Sequence, residues 1–126
     1  MENKIISIVS GGFDPIHPGH IMMMKDCRKF SDYLIVGVNS NNWLCKKKGN
    51  FFMDIKHRVY VIENLGVVNE VMEFDDDEKG SASNLLIKVR RKFNNSKIIF
   101  ANGGDRSDPT KILEFDTCQK HKIDLK

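Results

Sequence analysis

The sequence predicts an α/β fold: a doubly wound parallel sheet of about four to five strands with helices on both faces. Three observations predict it. Short apolar, β-branched runs alternate with longer amphipathic stretches, the order that yields a parallel sheet with right-handed crossovers. The first apolar run ends on a glycine pair, Gly11-Gly12, that leads into a helix start. No repeat, low-complexity tract or linker breaks the alternation over 126 residues, so one domain spanning 1–126 is expected. A chain of this length hides roughly two-thirds of its extended surface on folding, so neither disulfides nor a structural metal are required.

Taken in order, residues 4–10 (KIISIVS) read as a buried strand stopped by Gly11-Gly12. A helix starts near Pro18, a residue favoured in first turns, and turns Ile21 and Met24 inward with Met23 beside them. The Met22-Met23-Met24 run is read as core filler. Residues 33–39 (YLIVGVN) form a second buried strand. Residues 46–53 read as a polar, basic loop, followed by a helix from its N-cap Asp54 to Leu65, with Gly66 as its stop. Residues 67–74 make a third strand, and 83–93 a helix capped by Ser81 or Ser83. Residues 97–101 (KIIFA) are a fourth strand, Asn102-Gly103-Gly104 a turn, and residues 109–120 a last helix.

Composition excludes several classes. Twenty Lys+Arg against seventeen Asp+Glu leave a net charge of +3, too small to indicate a nucleic-acid partner. No apolar run approaches the roughly 20 residues of a membrane span, and the N-terminal residues show no signal-peptide pattern, so a cytoplasmic protein is expected. Cys27, Cys45 and Cys118 are an odd number at spacings that fit no zinc ribbon, which suits reduced thiols. Cys118 and His121 make half of a metal pair without a second half.

The loops after the first, second and fourth strands carry GGFDPIHPGH, NSNNWLCKKKGN and NGGDRSD, and carboxyl-end loops of a parallel sheet share one edge. In the first, glycines let the backbone approach a ligand, and the helix start offers unpaired N–H groups with partial positive charge, the makings of a phosphate site. His17 and His20 stand three apart at that helix start, so both face the same phosphate chain. The other reading of each is a cap or packing residue, and a zinc site lacks further ligands. Lys46-Lys47-Lys48 reads as a solvated loop or, beside the histidines, as a phosphate neutraliser. Arg58 either reaches an anionic ligand or pairs with an acid such as Asp54. Gly103-Gly104-Asp105 reads as a tight turn or a ligand contact, and Trp43 packs the loop or touches a ligand.

The stretch Gly11-Gly12-Phe13-Asp14-Pro15-Ile16-His17-Pro18-Gly19-His20 resembles the signature of the cytidylyltransferase-like nucleotidyltransferases, with their HxGH motif. Asn39, Lys48-Gly49 and Arg58 are similar to the corresponding stretch of glycerol-3-phosphate cytidylyltransferases and heptose-phosphate adenylyltransferases. The run 74–78 (FDDDE) and Asn102-Gly103-Gly104-Asp105 look most like the heptose-type members, and the likeness covers residues 4–106. It implies a Rossmann-like fold and transfer of a nucleoside monophosphate from CTP or ATP to a phosphorylated small molecule, such as glycerol 3-phosphate or a sugar phosphate, with release of pyrophosphate.

By motif position, the resemblance implies that His17 and His20 hold the triphosphate and stabilise the transition state while Gly11, Gly12 and Phe13 cradle it. Lys48, supported by Lys46 and Lys47, would neutralise the departing phosphates, and Gly104 and Asp105 would meet the nucleoside. Asp14 and Arg58 are placed on the acceptor side, Asp14 as a structural rather than metal-binding residue. Mg²⁺ is expected on the triphosphate itself, with no nucleic-acid or membrane partner, and a homodimer is expected. An ionised acceptor phosphate is already a nucleophile, so positioning and charge stabilisation suffice. The alternative is a nucleotide-binding or regulatory module of the same fold that has lost turnover. Against the family, the chain is expected to lack a fifth strand and a Ser/Thr-rich motif after residue 120, leaving an open sheet edge for a partner, and Arg106 stands where an aromatic residue is common.

Overall fold

The computed structural model describes residues 4–101 and 109–126. Strand and helix alternate as β1 (Ile5–Gly11), α1 (Pro18–Cys27), β2 (Tyr33–Val38), α2 (Asn41–Lys48), α3 (Ile55–Glu63), β3 (Glu70–Glu73), α4 (Ser83–Lys92), β4 (Lys97–Phe100), a 3-10 turn (Pro109–Lys111), α5 (Phe115–Lys120) and β5 (Asp124–Leu125). All paired strands are parallel, in the order β3-β2-β1-β4-β5. The chain winds from β1 out to β3 and then returns to β4 on the other side of β1. The order therefore reverses between β1 and β4, where doubly wound sheets open a crevice at their carboxyl ends.

Alternation along the central strands builds two cores. Ile6 and Ile8 of β1, Ile35 of β2 and Ile98 and Phe100 of β4 pack with Leu85, Leu86 and Val89 of α4 and Cys118 of α5. Val9 of β1 and Leu34, Val36 and Val38 of β2 pack on the other face with Met24 and Cys27 of α1 and Ile62 of α3. Both faces being covered explains why β1 and β2 read as unbroken apolar runs rather than alternating ones. Met24 is fully buried while Met22 is 65% exposed, so only part of the methionine run fills the core.

Three expectations are corrected. The Lys46–Lys48 run, read as the start of a loop over residues 46–53, is instead the last turn of helix α2, and residues 49–53 are loop as expected. Ser40 caps the helix by accepting the Trp43 N–H at 3.0 Å, and Gly49 closes it at φ 89. Lys46, Lys47 and Lys48 fill its last turn, where cations complement the helix dipole. Only Leu44 is buried, so the helix lacks the apolar stripe that periodicity detects. Secondly, β5 pairs Asp124 with Ile99 and Leu125 with Phe100, so the open edge expected beside β4 is covered by two residues too short to show a period. Thirdly, the N-cap of α4 is Ala82, without a side-chain cap of its own. Ser81 serves the helix start from one residue earlier, its Oγ accepting the Ser83 N–H at 3.2 Å while it also engages Asp77, and the Ala82 N–H donates to Glu114 Oε2 at 2.7 Å.

Asp54 caps α3 as expected, accepting the Lys56 N–H at 3.0 Å. Strand β3 is shorter than read, and the last helix is divided into the 3-10 turn and α5. All three cysteines are free, with Cys27 and Cys118 buried. Among the described residues no helix is long and apolar enough to cross a membrane, and no group of three His, Cys, Asp or Glu is placed to hold a metal ion.

Candidate active site

The crevice at the carboxyl end of β1 is a hollow of about 560 Å³, lined by Gly11, Gly12, His17 and His20 of the β1 loop and the start of α1, by Trp43, Lys47 and Lys48 of α2, and by Gly80, Ala82 and Glu114. A Cβ on Gly12 would stand 2.6 Å from Leu44 Cδ2, so only glycine lets the β1 loop lie against α2 here. The next residue, Phe13, sits in the left-handed region at φ 51. Its ring is buried and meets His20 edge-on at 5.0 Å.

The histidines are organised by the start of α1. His17 is the N-cap, and its Nδ1 accepts the Gly19 N–H at 3.1 Å; His20 Nδ1 in turn accepts the His17 N–H at 3.1 Å. This reciprocal box satisfies two helix-end donors, and it stacks the two rings at 3.7 Å with 24° between their planes. Because each Nδ1 is an acceptor, each neutral ring carries its proton on Nε2. The capping role and the ligand role therefore use different nitrogens of the same rings. Desolvation holds the His20 imidazole below the ordinary 6.5, and the neighbouring His17 lowers it further.

Asp14 anchors the other end of the loop. Its side chain is 1% exposed and pairs with Lys48 Nζ at 2.9 Å, while its two oxygens accept the Phe52 and Met53 N–H groups at 2.6 Å each. Burial alone would raise this carboxyl, but those amides and the Lys48 ammonium outweigh it and hold it below its ordinary value. Lys48 Nζ also donates to the Asp14 carbonyl at 2.9 Å. Both Asp14 and Lys48 border the hollow, each already engaged with the other.

The placement of Arg58 is a correction. It is 1% exposed on α3, beneath the loops rather than among ligand contacts. Its Nη1 donates to the Gly12 and Asn39 carbonyls at 2.9 and 2.6 Å, Nε to the Met53 carbonyl at 2.9 Å, and Nη2 to Asn41 Oδ1 at 2.8 Å. Neither an anionic ligand nor a bond to Asp54 explains it; it ties the ends of β1 and β2 to α2 and α3. Burial pulls its guanidinium below the ordinary value, with Asp14 and Asp54 nearby acting the other way.

Of the residues expected at the site, the structure gathers Gly11, Gly12, Phe13, Asp14, His17, His20, Lys47 and Lys48 around one hollow. Lys46 faces a neighbouring one, and Gly104 and Asp105 lie outside the described residues. Residues of the hollow that the sequence did not single out are Ser10, Leu44, Gly80, Ala82 and Glu114. Glu114 is a buried acid reaching across to α4, and nothing in its local sequence signals that partner.

A doubly wound sheet with a glycine loop, a helix N-terminus and two Nε2–H donors at its switch point is the arrangement in which α/β folds place phosphate groups. The Cytidylyltransferase-like family matches residues 8–122, and the chain belongs to that family. It is 32% identical over 122 residues to the bifunctional protein HldE of Haemophilus influenzae (strain PittEE), an alignment covering 88% of this chain and 25% of that protein. A bifunctional protein HldE of Actinobacillus succinogenes is 33% identical over the same shares. The chain thus spans about a quarter of the length of these curated relatives. Among solved structures, the lipopolysaccharide core biosynthesis protein of Thermoplasma volcanium GSS1 superposes with TM-score 0.69 at 22% identity, over 98% of this chain and 93% of that one. A bifunctional NMN adenylyltransferase/ADP ribose pyrophosphatase of Francisella tularensis, complexed with AMP and a manganese ion, superposes at 0.68 with 17% identity over 98% and 36%. These structural likenesses establish the fold.

Proposed function

We propose that the chain is a nucleotidyltransferase, moving a nucleoside monophosphate from ATP or CTP to a phosphorylated small molecule and releasing pyrophosphate. The observation that carries this reading is the stacked His17–His20 pair, whose Nδ1 atoms are spent on the helix cap and whose Nε2–H groups remain as donors beside the Gly12 loop. Membership of the Cytidylyltransferase-like family supports it. The Francisella structure, named as a bifunctional NMN adenylyltransferase/ADP ribose pyrophosphatase, carries AMP and a manganese ion, which supports an adenine nucleotide with a divalent metal here.

In this reading the triphosphate enters as its magnesium complex and lies along the Gly11-Gly12 backbone at the start of α1. The helix dipole and the two imidazole N–H groups meet charge that grows on the α-phosphate oxygens in the transition state. An oxygen of the acceptor's ionised phosphate attacks the α-phosphorus, the bond to the bridging oxygen breaks, and pyrophosphate departs. No proton has to be removed, so the site needs no general base. Lys47 and Lys48 on α2 balance the leaving charge, Lys48 by sharing its ammonium between Asp14 and phosphate.

Pyrophosphate release, measured with ATP and CTP against glycerol 3-phosphate and a set of sugar phosphates, tests the reading. Release with at least one pair, abolished by His17→Ala and His20→Ala, is expected. No release with any pair, with the histidine variants binding triphosphate like the parent protein, overturns it.

A further inference from the structure

The residue that follows β2 carries a side chain the fold does not use. Asn39 is 4% exposed, and its backbone is committed on both sides: its N–H donates to the Gly11 carbonyl at 2.9 Å, and its carbonyl accepts Arg58 Nη1 at 2.6 Å. The same Nη1 donates to the Gly12 carbonyl at 2.9 Å, so one guanidinium fixes Asn39 and the glycine loop to each other. The amide is different. No hydrogen bond engages it among the described residues, whereas the buried side chains of Ser7, Ser31, Arg58, Ser81 and Glu114 all have partners. A buried polar group left unpaired is costly, and such a group marks a place where a ligand or water completes the structure.

Asn39 lines the hollow that His17, His20 and Lys48 also line. Among the described residues the sealed side-chain atom without a partner is Asp76 Oδ1. Neither atom of the Asn39 amide is sealed in that way, so both keep access to the hollow. Parallel pairing sets Gly11 beside Val38, which puts Asn39 next to the glycine loop, and α2 with Lys47 and Lys48 begins two residues later. Asn39 is therefore placed between the loop that suits a phosphate chain and the helix that brings the ammonium groups. An amide on a strand end with a locked backbone is a preorganised dipole. Its two Nδ2–H groups donate at any pH, and its oxygen turns away from an anion.

We propose that Asn39 is a further catalytic residue, whose Nδ2–H donates to a non-bridging oxygen of the α-phosphoryl group during its transfer, a third donor beside the two imidazoles. The proposal rests on the nucleotidyltransferase reading given above. In that step an oxygen of the acceptor phosphate forms the new bond to the α-phosphorus, the α–β bridging bond breaks, and pyrophosphate carries away the electron pair. Asn39 gives up no proton and forms no covalent bond. Its hydrogen bond strengthens as charge gathers on the non-bridging oxygens, so it acts on turnover more than on triphosphate binding.

Because the amide has no partner in the fold, Asn39→Ala should leave thermal melting nearly unchanged. It should lower kcat by about 10²-fold while the triphosphate KM stays within about twofold, and keep the shape of the pH profile, since an amide does not titrate. Asn39→Asp keeps the shape but sets a carboxylate against phosphate, and should lose at least as much. Contact is read directly by NMR of the ¹⁵N-labelled parent protein titrated with magnesium and the α,β-methylene analogues of ATP and CTP. The Asn39 side-chain amide signal, assigned by its absence from Asn39→Ala, should shift saturably with at least one of them. Parental kcat in either variant, a melting loss that accounts for the whole fall, or an amide signal unmoved by saturating analogue overturns the assignment. Where the parent protein turns over, these results overturn the role of Asn39 alone. Absence of turnover by the parent protein with any pair overturns the enzymatic reading, and the analogue titration then decides by itself whether the amide meets a triphosphate: a saturable shift keeps the contact and an unmoved signal removes it.

Discussion

His17 and His20 cap α1 through Nδ1 and, in the proposed reaction, donate through Nε2, so the two roles are separable. Replacing His17 with alanine removes a cap worth about 1 kcal/mol and, under the proposed reaction, a transition-state donor whose loss costs about 10²–10³ in turnover. Thermal melting should therefore move little while pyrophosphate release collapses; a melting loss that accounts for the whole effect would mark His17 as structural only. His20 adds a pH signature. Its folded pKa lies below 6.5, so between that value and 6.5 the unfolded chain binds more protons and stability rises with pH; the contribution is lost as pH falls through the folded value. Nearby phosphate charge favours the imidazolium. NMR titration should show His20 below 6.5 in the free protein and higher with triphosphate bound. Asp14 follows the acid rule. Its lowered folded pKa contributes stability above the ordinary 3.8 that is lost as pH falls through the folded value. Asp14→Asn should cost about 1.5–3 kcal/mol near neutral pH, with the gap to the parent protein closing in denaturation curves below pH 3.8.

At the scale of elements, the HPGH helix start was legible because cap, proline and glycine are neighbours in sequence, and the chemistry of a helix N-terminus is local. Helix α2 was not. Its eight residues bury only Leu44, and its basic end resembles a solvated loop until Ser40 and Gly49 are seen closing it. Ser40 serves both as its cap and as the donor to Asp76. Ser40→Ala should then cost about 1 kcal/mol or somewhat more in chemical denaturation, and should red-shift or broaden Trp43 emission because the contact between α2 and the loop of residues 75–81 loosens. An unshifted spectrum would show that the Gly80 carbonyl, which accepts the indole N–H at 2.9 Å, holds the ring alone.

Across the whole molecule, the sheet order puts the β1 loop, the end of β2 and the start of α4 at one crevice, and Arg58 fastens the first two together from below. Its partners lie up to 46 residues away in sequence, which is why its residue type and position alone left its role open. Arg58→Lys keeps the charge but not the planar fork. It should lower unfolding free energy by about 2–4 kcal/mol through carbonyls left unpaired in a buried place, and lower triphosphate affinity with it; an unchanged affinity in the folded variant would limit Arg58 to stability. By itself, the sequence determined the α/β class, the glycine loop and the helix start with its two histidines, since apolar period, turn glycines and helix caps are short-range properties. Tertiary structure alone decided that Arg58 is a buried clasp, that Lys48 is paired with Asp14, that Asp124 and Leu125 add a fifth strand beside β4, and that Trp43 lines two hollows. Each of these depends on groups brought together by strand order and packing, and no local pattern encodes a partner that is distant along the chain.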